Sequence, residues 1–234
     1  GITTLHATAH IIQERKGETM LDTLNEQKVR NLILYIADRI IENKAYLTEV
    51  DSAIGDGDHG IGMALGMQKA KDKVAAAADC GNAYALFGLA GKTMLMSMGG
   101  ASGVLFGSLF LGGAKDAGPA PALTAEDLYR MMEKSLAVIQ ERGKARLGDK
   151  TMVDALEPAV RAMGLTWDQG LLPMLQAAEK AAAQGVEDTK QYQARYGRAK
   201  SLMERSVGFQ DAGATSVWII IRSMREFVEQ QGSV

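Results

Sequence analysis

The sequence predicts an all-α protein folded as a single domain, and three observations carry that expectation. From Asn25 to Val50 the apolar residues Val29, Leu32, Ile33, Ile36, Ile40 and Leu47 recur at helical spacing, while Lys28, Arg30, Asp38, Arg39 and Glu42 largely take the other face. No segment sustains the two-residue alternation of Val, Ile, Thr and aromatics that marks strands; SVWIII comes nearest, and it runs into the helical MREFVEQQ. The composition is 47% hydrophobic with 26 Gly and only 4 Pro, which suits close-packed helices because small residues let helix axes approach.

In chain order, helical periodicity begins only after Met20, so no element is expected in residues 1–19. The domain is set at 25–234, with 1–24 as a disordered N-terminal leader. The first helix gives way to DSAIGDGDHGIG, whose four glycines and four carboxylate or imidazole side chains forbid a regular element across it. Further helices are expected at 62–78, 82–97, 102–116, 124–142, 150–163, 168–184, 187–205 and 214–230. Thr124 followed by Asp127 has the spacing of a capping box, in which hydroxyl and carboxylate satisfy the free amides of a helix start. DAGPAPALT, around 116–124, reads as a surface connection, and no Pro- or Ser-rich linker separates two zones of composition.

The charge balance excludes some functions. Lys and Arg number 26 against 28 Asp and Glu, so a formal charge of −2 gives no general attraction to nucleic acid or to an anionic membrane. An anionic ligand must be held locally. The apolar run GVLFGSLFLGG ends before Lys115, too short for a membrane span, and residues 1–20 make a poor signal peptide. The single cysteine, Cys80, forms no internal disulfide, which points to a cytoplasmic, reducing setting.

Chemistry concentrates in four places. Asp51, Asp56 and Asp58 lie five and two residues apart, with glycines at 55, 57 and 60 that let the backbone fold back and bring the carboxylates together. Hard oxygen ligands at that density suit Mg²⁺, which takes a few carboxylates plus water and phosphate. A calcium hand does not fit, because the twelfth residue from Asp51 is Gly62 rather than a bidentate Glu. An isolated Asp-Gly pair is ordinarily a solvated turn, but three acids and four glycines within twelve residues outweigh that reading. The stretch MGGASGVLFGS sets small residues before an apolar helix, where free amides and the helix dipole attract phosphate; by itself it is equally a helix-packing contact. The third and fourth clusters are GDKTMVDALEP and GRAKSLMERSVGFQDAGATS, the latter carrying Arg198 and Arg205. For Lys144, Arg146 and Lys150 the default is a solvated face. His59, beside Asp58, is a candidate donor to a phosphate oxygen, with a purely structural histidine as the alternative. No Ser-His-Asp order or GxSxG elbow points to nucleophilic catalysis, whereas phosphoryl transfer needs mainly positioning and charge neutralisation.

In order, DSAIGDGDHGIGM, MGGASGVLFG, RGKARLGDKTMVDAL and GRAKSLMERSVGFQDAGATS resemble the four signature blocks of the dihydroxyacetone kinase L subunit, which also occurs as the C-terminal domain of single-chain dihydroxyacetone kinases. The resemblance covers roughly residues 25–230. It implies an eight-helix antiparallel barrel with the nucleotide, ATP or ADP, at one end. It makes Asp51, Asp56 and Asp58 the ligands of two Mg²⁺ ions, and His59, Gly60, Ile61 and Gly62, with Ala101 and Ser102, the phosphate-contacting positions. Gly143, Met152, Arg198, Asp211, Ala212 and Gly213 match positions around the base and sugar of the nucleotide. No catalytic residue is implied beyond this metal and nucleotide site.

The same resemblance implies a separate K-type subunit or domain that holds the sugar, for which this chain has no room, so that it is inactive alone. In one version of the chemistry ATP turns over; in the other, bound ADP is recharged by a phosphotransferase-system M-type subunit. A homodimer is compatible with either. The residues depart from the family pattern at Gly62, where Asn is usual, and at Phe209 and Ala212, where phosphotransferase-linked members carry His and Pro. Ser201-Leu202-Met203 replaces a Tyr-containing stretch, and together these changes lean towards an ATP-using relative acting on a short ketose such as dihydroxyacetone or erythrulose. The alternative is a nucleotide-sensing adaptor of the same fold; retention of all three acids argues against it. Residues 1–19 are expected to be dispensable for nucleotide binding.

Overall fold

The structure, a computed structural model, describes residues 21–232. The expected leader therefore lies outside the described residues except at its end. There Leu24 is fully buried and pairs with Leu123, so it belongs to the folded unit.

Among the described residues the helices are α1 (Glu26–Glu42), α2 (Lys44–Ser52), α3 (His59–Ala76), α4 (Ala83–Ser97), α5 (Gly100–Leu111), α6 (Ala125–Gly143), α7 (Val153–Gly164), α8 (Leu171–Thr189) and α9 (Ala212–Gly232). Short 3₁₀ segments occupy Trp167–Gln169 and Arg198–Ser206. The expected capping box is present: the Thr124 hydroxyl accepts from the Asp127 amide at 3.2 Å, and the Asp127 carboxylate from the Thr124 amide at 2.9 Å.

Three expectations are corrected. The helix foreseen over 25–50 is interrupted at Asn43, where the Arg39 carbonyl accepts from the Asn43 side-chain amide at 2.8 Å as well as from its backbone amide at 3.1 Å. The helix placed at 102–116 ends at Leu111, because beyond it Gly113 packs so closely on the Met131 backbone that an added Cβ would lie 1.9 Å from that carbonyl oxygen. The helix placed at 187–205 does not form. Instead α8 runs to Thr189, and the chain crosses positive φ at Gly197 and again at Met203, where φ is 51°. SVWIII lies within α9, so the helical pattern that follows it prevails.

Each helix packs on the next in sequence from α3 to α9; α1 packs on α3, and α9 returns to α1. With α1 and α2 counted as one interrupted helix, this is a closed ring of eight, an all-α antiparallel barrel. Its interior is filled by Leu32, Ile36 and Ile40 of α1, Met63 and Met67 of α3, Phe87 and Met94 of α4, Phe106 of α5, Leu156 of α7, Leu175 of α8 and Ile220 of α9. Each such side chain contributes about 1.5–3 kcal/mol on burial. Several glycines serve close approach. A Cβ on Gly91 of α4 would lie 2.5 Å from the Gly107 carbonyl of α5, and one on Gly185 of α8 would lie 2.0 Å from the Asp154 carbonyl of α7. No helix among the described residues is long and apolar enough to cross a membrane.

The alternation of direction sorts the connections. Those after α3, α5 and α7 lie at one end, together with the start of α1. There Leu24–Asn25 and Ala122–Leu123 form a two-residue antiparallel bridge, and the Glu26 carboxylate accepts from the Cys80 and Gly81 amides. The Cys80 amide foremost holds that carboxyl below its ordinary value. Connections 53–58, 98–99, 144–152 and 190–211 lie at the other end. All four clusters singled out in the sequence thus meet at one mouth of the barrel.

Candidate metal and nucleotide site

Asp51 sits in the last turn of α2, Asp56 in the connection, and Asp58 at the N-cap of α3. One carboxylate oxygen from each falls in a group whose atoms all lie within 4.8 Å of one another. Gly55 and Gly57 make this possible. A Cβ at Gly55 would lie 2.4 Å from Asp51 Oδ1, and Gly57 has φ of 75°. The Asp51 carboxylate also accepts from the His59 amide at 3.2 Å, locking the turn to the start of α3.

Crowding of acids shows in their electrostatics. Burial, then the hydrogen bond and charge of Asp56 and the charge of Asp51, raise the Asp58 carboxyl above its ordinary value, while Arg198 works the other way. Arg198 Nε lies 2.8 Å from Asp56 Oδ2, so a cation already stands against the cluster. Ligands of an octahedral ion at about 2.1 Å sit roughly 3–4 Å apart, which small side-chain rotations reach from the observed spacing. The donor set, all hard oxygen and partly solvated, therefore fits Mg²⁺.

Around the acids lie helix starts with free amides. α3 opens with His59, Gly60 and Ile61, and the first helical bond is donated by Gly62 to Asp58 at 2.9 Å. α5 opens after Gly99 without a side-chain cap; Gly100 has φ of 66°, and Ala101 and Ser102 follow in the first turn. At α9 the Asp211 carboxylate accepts from the Ala214 amide at 2.8 Å, ahead of Ala212 and Gly213. Burial pushes that carboxyl up to about 7. Gly213 and Met152 are neighbours, since a Cβ on Gly213 would lie 3.4 Å from the Met152 amide. Gly143 ends α6 against Leu105 of α5, beside an open groove of about 470 Å³ lined by Gln140, Lys144, Arg146, Leu147 and Glu157.

Individual positions depart from the roles the sequence suggested. The His59 ring is turned inward, with Nε2 2.8 Å from Ser216 Oγ of α9 and the ring 5.8 Å from that of Phe106, so it is engaged in the core rather than facing the mouth. Burial lowers its pKa. Gly60 faces α2, where a Cβ would lie 2.4 Å from the Lys44 carbonyl, whereas nothing lies within 4 Å of one at Gly62. Asp211 is in the first place a helix cap. Lys144 and Arg146 are exposed as expected, but Lys150 is buried at 2% exposure. Its Nζ donates to the Thr189 carbonyl at 2.5 Å and to the Phe209 carbonyl. The solvated face expected for Lys150 is thus corrected, and Asp154 and Ser216 are residues of this end to which the sequence assigned no individual role. Lys150 lies in a connection, where no periodicity marks burial; Asp154 and Ser216 lie near the starts of α7 and α9, where Asp154 accepts from the Gly148 amide and Ser216 meets His59 from a distant segment.

The chain is similar to known proteins over most of its length. A family model described as the DAK2 domain matches residues 53–226. The ADP-binding subunit DhaL of the PEP-dependent dihydroxyacetone kinase of Escherichia coli strain K12 is 39% identical, over 86% of this chain and 97% of its own length. D-erythrulose kinase of Mycolicibacterium smegmatis is 31% identical over 82% of this chain, which spans only 34% of that enzyme. The crystal structure of native dihydroxyacetone kinase of C. freundii aligns with a TM-score of 0.66 at 26% identity, over 85% of this chain and 34% of the other. The same enzyme with AMP-PNP and Mg²⁺ aligns at 0.67 with 24% identity, a likeness of fold. With four blocks in order at one mouth of an eight-helix ring, and the match running through all of them, the chain belongs to the DAK2-domain family.

Proposed function

We propose that the chain is the nucleotide-binding, phosphoryl-donating subunit of a dihydroxyacetone-type short-ketose kinase, acting with a K-type subunit that holds the sugar. The observation that carries this reading is the convergence of Asp51, Asp56 and Asp58 within 4.8 Å at the mouth where the starts of α3, α5 and α9 meet. Two Mg²⁺ ions held by these carboxylates would neutralise the charge of the nucleotide phosphates. The chain's own groups do the rest. Free amides of the first turns of α3 and α5, at Gly60 and Ile61 and at Ala101 and Ser102, donate to phosphate oxygens; Gly62, its own amide bonded to the Asp58 carbonyl, leaves open space beside them, and the His59 amide supports the site by holding Asp51. Arg198, 78% exposed at its side chain, exchanges Asp56 for a phosphate. Gly143, Met152 and the Asp211–Gly213 turn frame the sugar and base.

The groups named here serve metal and nucleotide, and alignment of a sugar hydroxyl with the γ-phosphorus is a separate requirement that supplies roughly 7–11 kcal/mol of a barrier. That task falls to the partner. The γ-phosphoryl of Mg-bound ATP is the donor whether the nucleotide exchanges or stays bound and is recharged by an M-type subunit of the phosphotransferase system. The PEP-dependent relatives favour recharging, and Phe209 and Ala212 favour exchange. The test combines γ-labelled ATP, dihydroxyacetone or erythrulose, and a K-type subunit. Label should reach the sugar only when the partner is present, and Asp56→Asn should abolish transfer and MgADP binding while leaving the helical signal intact. Unchanged MgADP affinity in Asp56→Asn would remove the metal assignment and this function with it.

A further inference from the structure

The connection between α6 and α7 turns through Lys150 with φ of 62°, and its side chain points into the protein rather than out of it. Its ammonium meets the carbonyls of Thr189 and Phe209, which are the two ends of the 190–209 excursion. The same neck is closed by the Gly208 amide donating to the Lys190 carbonyl at 2.7 Å. Further out, the Arg195 amide donates to the Asp149 carbonyl at 3.2 Å and the Tyr196 hydroxyl to the Lys144 carbonyl at 3.0 Å. One connection thus grips another along its length, and two residues past Tyr196 stands Arg198, paired with Asp56.

A buried ammonium is an expensive way to fill space, and an apolar side chain would do so at less cost if packing were the only need. Three donors on a long stem, however, bind two carbonyls of separate segments at once. Burial disfavours the charged form and lowers the Lys150 pKa, and the charges of Asp211 and Asp154 offset part of that.

We propose that Lys150 is a positioning residue for nucleotide binding: by tying both ends of the 190–209 loop to the approach of α7, it sets where Arg198 stands relative to the three carboxylates. This rests on the nucleotide reading of the preceding subsection. Its consequence is that Lys150 governs affinity for a nucleoside diphosphate through Arg198, without touching the ligand.

The experiment is a double-mutant cycle on the full chain, with MgADP affinity read by calorimetry well below the melting temperature. Lys150→Met should weaken MgADP binding about tenfold or more in the parent chain, and less than about threefold in an Arg198→Ala background. Lys150→Gln, which keeps amide donors, should recover part of the loss. Hydrogen exchange at the Arg195 and Gly208 amides should be slow in the parent and fast in Lys150→Met. An undiminished tenfold effect in the Arg198→Ala background would make Lys150 a purely structural residue and overturn the proposal, as would parental affinity in Lys150→Met. Should Lys150→Met fail to fold, Lys150→Gln decides in the same cycle: a loss of MgADP affinity that shrinks in the Arg198→Ala background upholds the proposal, and parental affinity or an equal loss in both backgrounds overturns it. A parent chain that binds no MgADP would defeat the nucleotide reading and this inference together, which the affinity of the parent alone reveals.

Discussion

At the scale of single residues, the mouth of the barrel concentrates ionisable groups whose environments oppose their charges. Asp211 is the clearest case, its carboxyl pushed from an ordinary 3.8 up to about 7. Burial dominates; the charges of Asp154 and Asp51 add to it, and the Ala214 amide and Lys150 oppose it. An acid whose pKa is raised on folding binds its proton more tightly in the folded state. Stability from this group is therefore greatest below its unfolded value and declines as pH rises from about 4 to about 7, by up to about 1.4 kcal/mol per pH unit. Asp211→Asn keeps an acceptor for the Ala214 amide and removes the titration. Denaturant unfolding from about pH 4.5 to about pH 8.5 should show the variant gaining on the parent as pH rises and levelling off above about 7. A constant difference would mean that the carboxyl is not shifted.

At the scale of elements, the glycines divide into those that space helices and those that shape turns. Gly185 of α8 lies against the Asp154 carbonyl of α7, a carbonyl to which Pro158, four residues on, has no amide to donate. Gly185→Ala should destabilise by more than about 3 kcal/mol, lowering the melting temperature by roughly 6 °C or more, because backbone rather than a flexible side chain must move. Gly88→Ala in α4 meets only Leu111 Cδ1, at 3.8 Å, and should raise the melting temperature by a few degrees, since alanine is favoured by up to about 1 kcal/mol in a helix interior. Calorimetric melting of the two variants side by side checks both. These contacts explain what the sequence could show. Apolar periodicity located α1, α6 and α7 because each has one face in the core, and the Thr124–Asp127 spacing located a helix start to the residue. It misjudged 187–205, since the residues there have helical propensity and only the tertiary grip of Lys150 and Asp149 shows why the chain leaves the helix at Thr189. The three acids were legible from spacing and glycine content. The inward turn of His59 was not, because its partner Ser216 lies 157 residues away.

At the scale of the whole molecule, closure of the ring brings the first and last helices side by side. The Tyr35 hydroxyl of α1 donates to Glu226 Oε2 of α9 at 3.1 Å, and the Gln230 side-chain amide reaches the same hydroxyl at 3.3 Å. From there α9 ends two residues on, while α1 begins nine residues back, about 14 Å along its axis. Every candidate ligand of metal and nucleotide sits at the opposite mouth. The order in which the helices are threaded is thus separable from the site they carry. A circular permutant that joins residue 232 to residue 21 through a short Gly/Ser linker and opens the chain between α3 and α4 should fold to the same helical content and keep the MgADP affinity of the parent. Calorimetry and far-ultraviolet dichroism of such a permutant would show whether the barrel is a closed circuit with no privileged starting helix.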